Sequence, residues 1–165
     1  MTSTKPGPDR PMHGDLPQNA AAAMNEADAI CAARGLRMTR GRRKVLGMLL
    51  ESPRPLGAYD IIALHADEGR RVQPAIVYRA LQFLAGNGFA HRIERLNAYV
   101  ACMHPGERHA PAFMICRTCQ AVEEACISPS KGALGTAARA VGFRIERVMV
   151  EAEGICPNCA DGAYA

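Results

Sequence analysis

No stretch of the 165 residues approaches the ~18 consecutive apolar positions that a bilayer span requires, which argues against a membrane role. Residues 1–19, MTSTKPGPDRPMHGDLPQN, lack the apolar core of a secretory signal. They are polar and carry four prolines, so they read as the disordered tail of a cytoplasmic protein. That compartment is reducing and argues against disulfides, although the chain has seven cysteines. The order HxE…PCxxC of zinc deaminases is missing too, because Pro157 lies inside a CxxC.

What is present is an ordinary globular composition, 48% apolar and 22% charged, long enough for one domain or two small ones. Net charge is +4, all of it N-terminal: residues 1–88 hold twelve Lys/Arg against eight Asp/Glu, and residues 89–165 hold eight against eight. Within that excess, RGLRMTRGRRK (34–44) has six basic residues and no acidic one, a patch suited to phosphate or to a solvated helix face.

Helical spacing predicts a first helix through NAAAAMNEADAICAARG, capped near Asn19 or Asn25 and stopped at Gly35. Thr39 is the expected cap of a second, with Val45, Leu46, Leu49 and Leu50 facing inward and Pro53 and Pro55 ending it. A third begins near Ala58, and a fourth runs from Pro74 to Gly86 or Gly88. On the fourth, Val77, Ala80, Leu81 and Leu84 share one side, while Ala75, Tyr78, Arg79 and Gln82 share the other. Core packing accounts for the first set. An aromatic, an arginine and an amide on an outward face are residue types that touch phosphate and read base edges in a major groove. Two β-rich runs around Asn97 complete the pattern of a winged helix-turn-helix.

MHPGERHAP (103–111) reads as a hinge. Beyond it, AFMIC and AVEEACI read as strands flanking a turn, SPSKGALGTAARAVG as a helix capped by Ser128 with Pro129 at its start, and FRIERVMVEAEGIC as one long strand. The expected fold class is α+β: a tail (1–19), a winged-helix DNA-binding domain (20–102), the hinge, and a small α/β domain (112–165). That last unit is marginal alone, so a metal, a second subunit or both should support it.

Cys116 and Cys119 form one CxxC pair and Cys156 and Cys159 another. Two such knuckles complete a closed four-thiolate shell for structural Zn²⁺; a redox CxxC is the alternative. The 36 intervening residues (120–155) make this a clip around a folded unit. His91, Cys102, His109 and Glu124 form a second donor set from both sides of the hinge, and its thiolate favours zinc over iron or manganese. His104 competes with His109. Cys31 and Cys126 read as buried small hydrophobes, His13 and His65 as surface residues. A zinc-dependent hydrolytic enzyme is the alternative of a different class, with His91, Cys102 and His109 as ligands and Glu124 as base.

The basic helix, AYD at 58–60, VYRAL at 77–81, CRTC at 116–119 and CPNC at 156–159 resemble the ferric uptake regulator superfamily, most of all its zinc-responsive branch, over residues 24–160. The resemblance implies a zinc-activated repressor of zinc uptake genes, not an enzyme. It implies a homodimer on double-stranded operator DNA, dimerised by the C-terminal domain, with two zinc ions per subunit and no small organic substrate. It assigns Cys116, Cys119, Cys156 and Cys159 to the structural site, His91, Cys102, His109 and Glu124 to the sensing site, and Tyr59, Tyr78 and Arg79 to DNA. The superfamily's TPxR is TRGR here and its TVYR is IVYR. Phosphate anchoring is therefore expected to shift to Arg40, Arg42 and Arg43. The histidine-rich tract of its iron and peroxide sensors, the alternative within the superfamily, is absent before Cys116.

Overall fold

The computed structural model describes residues 20–66, 73–107, 109–128 and 132–160; the expected tail, Asn19 and His13 lie outside them. The chain divides after Glu107 into two compact units.

The N-terminal unit runs α1 (Ala20–Ala33), α2 (Arg40–Glu51), β1 (Leu56–Gly57), α3 (Ala58–Ala66), α4 (Pro74–Gly86), β2 (Ala90–Ile93) and β3 (Ala98–Ala101). Gly35, at φ +64°, turns the chain out of α1, and the Leu36 N–H closes the end on the Cys31 carbonyl at 2.8 Å. Asn25 lies inside α1 and does not cap it. Thr39 caps α2, its hydroxyl accepting from the Arg42 N–H at 3.4 Å. Pro74 occupies the first turn of α4, where its missing N–H costs nothing.

These helices pack through the apolar stripes that the spacing predicts. Val45, Leu46, Leu49 and Leu50 of α2 and Val77, Ala80, Leu81 and Leu84 of α4 are buried in one core with Ile61 and Phe89. Cys31 lies in that core, and burial, then the Asp28 carboxylate, raise its thiol pKa. β2 and β3 form an antiparallel hairpin, and β1, too short to show in the sequence, adds to the far side of β3. Asn97 makes the hairpin turn at φ 48°, a left-handed conformation that asparagine tolerates. Helices α2, α3 and α4, closed by such a hairpin, form a winged helix-turn-helix.

In the C-terminal unit, β4 (Ala110–Cys116) and β5 (Val122–Ile127) pair antiparallel around the first CxxC turn. Helix α5 (Ala133–Ala140) follows, β6 (Val150–Gly154) returns parallel to β4, and α6 (Pro157–Ala160) carries the second CxxC. The strand order is β5-β4-β6, so β4 is central. Its Phe113 and Ile115 are buried with Val122 and Ala138. Both edge strands carry adjacent or alternate carboxylates, Glu123 and Glu124 on β5, Glu151 and Glu153 on β6.

Several expectations change here. Gly132, not Ser128, stands at the N-cap of α5, and Pro129 lies outside the described residues. The long terminal strand shrinks to Val150–Gly154 because only those residues meet β4; residues 143–149 alternate in sequence but pair with no strand among the described residues. Cys126 is exposed, since it sits opposite Pro111 near the end of the β4–β5 ladder, past the buried Val122. His65 is half-buried, with both ring nitrogens shielded from solvent. Among the described residues, no helix is long and apolar enough to cross a membrane.

Removing the Leu84 side chain should lower stability by about 2–5 kcal/mol, the range for a buried leucine cut to alanine. Gln82→Ala, exposed on the same helix, should stay within about 0.5 kcal/mol. Urea denaturation of the zinc-replete protein, followed by circular dichroism, measures both.

Candidate metal centre and nucleic-acid interface

The first metal centre lies wholly in the C-terminal unit. The end of β4 delivers Cys116, whose N–H bonds the Ala121 carbonyl at 2.9 Å, while Gln120, at φ 59°, donates to the Cys116 carbonyl at 2.9 Å. That tight knuckle aims Cys116 and Cys119 the same way. Parallel pairing sets Cys116 beside Gly154, and the Arg117 N–H bonds the Gly154 carbonyl, so Cys156 arrives two residues later. The first turn of α6 then presents Cys159, its N–H on the Cys156 carbonyl at 3.0 Å.

All four sulfurs lie within 4.8 Å of one another. The Cys119 and Cys156 sulfurs are 3.8 Å apart, which matches the edge of about 3.8 Å of a tetrahedron with ~2.3 Å zinc–sulfur bonds. The donor set fits Zn²⁺, with no position left for water. Burial opposes the Cys116 thiolate, but N–H groups of Cys119, Cys156 and Thr118 outweigh it and bring its pKa down to about 6. Burial raises Cys119 and Cys159, and the neighbouring sulfurs push Cys159 further up. A dication at the centre of the four sulfurs is what stabilises them together in ionised form.

The second donor set is split between the units. In the N-terminal unit, β2 carries buried His91, with a ring nitrogen within 4.8 Å of the sulfur of buried Cys102. The Cys102 N–H bonds the Phe89 carbonyl at 3.0 Å, which extends the hairpin and fixes its direction. In the C-terminal unit, His109 Nε2 is 3.2 Å from Glu124 Oε1, both side chains nearly buried. His104, its rival, is exposed. Two imidazoles, a thiolate and a carboxylate are the donor types zinc accepts. Donors for two zinc ions per subunit are therefore present.

On α4, Ala75, Tyr78, Arg79 and Gln82 are exposed as the projection requires. Tyr59, on the first turn of α3, is 80% exposed. Desolvation, and after it the Tyr59 neighbour, raise the Tyr78 phenol pKa above its ordinary range. Asp60 orients this corner: its carboxylate accepts the Gly57 N–H at 2.9 Å, reaching back from the third helical position to the cap. Asp60 closes the AYD segment, and an acidic residue at the third helical position is a capping signal carried by the sequence itself.

The three arginines expected to anchor phosphate differ in their surroundings. Arg40 is exposed. Arg42 donates to the Arg37 carbonyl at 2.6 Å and stacks on Phe83 of α4, 3.5 Å from the ring centroid. Arg43 is paired with Asp28 of α1 at 2.6 Å. The last two brace α2 against its neighbours.

Comparison with known proteins agrees with this geometry. The model of the Ferric uptake regulator family matches residues 33–153. The Zinc uptake regulation protein of Escherichia coli (strain K12) is 35% identical over 137 residues, 82% of this chain and 80% of that protein. Among solved structures, a zinc uptake regulator complexed with zinc and DNA superposes with TM-score 0.82 at 32% identity, covering 90% of this chain and 99% of that one. The holo form of XcZur gives 0.76 at 35% identity, covering 85% and 98%. With most of its length matched by the family model and by these relatives, the chain belongs to the ferric uptake regulator family.

Proposed function

We propose that the chain is a zinc-activated, DNA-binding repressor of zinc uptake genes, acting in the cytoplasm as a homodimer. The observation that carries this reading is the division of the second donor set. His91 and Cys102 belong to the winged-helix unit, His109 and Glu124 to the other, and neither pair alone fills a four-coordinate shell. The four-sulfur set, by contrast, is complete within one unit, as a structural site should be.

Zinc bound by both pairs supplies four-coordinate bonding to a thiolate, two imidazoles and a carboxylate. His91 and Cys102 hold the wing side of that shell, and the His109–Glu124 pair holds the side of β4 and β5. Residues 103–108 join them through Pro105 and Gly106, so the shell limits the poses open to the DNA-binding unit. A symmetric dimer must set its recognition helices ~34 Å apart, or a multiple, to occupy successive major grooves. Shifting the closed form from 1:99 to 99:1 requires ~5.5 kcal/mol of preference, well inside what a four-donor zinc site supplies. The Cys102 thiolate favours zinc over iron or manganese as the signal.

The dimer face we assign is the apolar side of α5 and the segment after it. Val141 is 78% exposed and Phe143 68% exposed. With Leu134, Ile145 and Met149 they line a groove of about 520 Å³, a surface that a second copy would remove from water. On the DNA side, Tyr59, Tyr78, Arg79 and Gln82 face the major groove, and Arg40 takes the phosphate contact.

Cys102→Ser should leave a folded dimer that retains one zinc per subunit and no longer binds DNA in a zinc-dependent way; zinc analysis and a gel shift with and without chelator test it. Continued zinc-dependent binding by that variant would remove the sensing assignment. Cys116→Ser, in contrast, should lose the fold of the C-terminal unit, seen as protease sensitivity. Arg40→Ala should reduce the slope of log affinity against log salt by about 1.8 for the dimer, about 0.9 for each subunit's arginine, whereas Arg43→Ala should leave the slope unchanged and lower the unfolding midpoint. Phe143→Asp should shift the species seen by sedimentation from dimer toward monomer.

A further inference from the structure

Ile76 is the third residue of α4 and 46% exposed, a branched apolar side chain on the N-terminal turn of the helix assigned to the groove. At 100° per residue it sits about 60° from Arg79 and about 20° from Phe83, on the flank nearest α2. Its γ2 methyl lies 3.5 Å from where a side chain at Gly41 would begin, which puts one edge of Ile76 toward α2 while the residue stays 46% exposed. A β-branched residue in a helix has essentially one rotamer, so the exposed methyl groups are held in a fixed direction. Stability does not call for an apolar side chain there; Val77, Ala80, Leu81 and Leu84 already supply the core contacts of α4.

We propose that Ile76 is a specificity-determining residue that reads the C5-methyl group of a thymine, at a step neighbouring the base contacted by Arg79. The proposal rests on α4 being the recognition helix. In the major groove the thymine methyl is the one apolar marker of a base pair, and an aliphatic side chain at the N-terminal turn of a recognition helix is the chemistry that detects it. An arginine one turn along takes a guanine through O6 and N7. Ile76 and Arg79 together would then select thymine and guanine at nearby positions without any hydroxyl contact from residue 76.

The test begins with DNA enriched from a random duplex pool by the zinc-loaded full-length protein. Each thymine of the enriched site is then replaced singly by deoxyuridine, which removes only the methyl group. Unmodified protein should lose about fourfold in affinity at one thymine per half-site, the worth of one desolvated methyl group. Ile76→Ala should bind the thymine and uracil duplexes equally at that position, and Ile76→Val should keep part of the difference, with zinc content and circular dichroism of both variants unchanged. If every replacement affects the unmodified protein and Ile76→Ala alike, the proposal is overturned while DNA binding stands. If no DNA is enriched in a zinc-dependent way, both readings are overturned.

Discussion

The geometry of four sulfurs constrains the C-terminal half of the molecule more tightly than its apolar core does. Few large side chains are buried there, chiefly Phe113, Ile115 and Val122, and a core of that size is marginal by itself. The tetrahedral spacing needs β6 to run parallel to β4, because that register delivers Cys156 beside Cys116. A Cys156 N–H to Cys116 sulfur bond at 3.4 Å joins the knuckles further. Chain direction, the crossover through α5 and the short α6 all follow from bringing the last CxxC back to the first. His109, just before β4, and Glu124, on β5, are held close together by the same sheet.

The N-terminal unit follows a different logic, burial on one side and chemistry on the other. Helix α4 is pressed into the core by four aliphatic residues, which leaves Tyr78, Arg79 and Gln82 outward without any cost in packing. Positive charge close by serves two purposes. Arg42 and Arg43 tie α2 to α4 and α1, so of the three arginines at the start of α2 Arg40 is the one exposed without such a tie to a neighbouring helix. A cation that is already stacked or ion-paired contributes less to counterion release than its formal charge suggests.

Periodicity made most of this legible in advance. The stripes of α2 and α4, the Thr39 cap, the hairpin at Asn97 and both CxxC pairs are local signals, each set by a few neighbouring residues. The sequence reading went astray where nonlocal pairing decides. Residues 143–149 have the alternation of a strand but no strand beside them within the described chain, and Cys126 looked apolar enough to bury but lies beyond the packed end of its ladder. Two-residue β1 was invisible for the same reason: its strand character comes from β3, not from its own side chains. The arginines show the limit for site residues, since composition reports a charge but not whether Asp28 or Phe83 has already claimed it.

The carboxylates on the sheet's two outer strands carry a consequence for assembly. With Glu123 on one outer strand and Glu151 and Glu153 on the other, a copy adding edge to edge would set acid against acid. Electrostatic repulsion of that kind discourages ribbon-like stacking of small β-rich modules. Such charges steer added copies away from the outer strands.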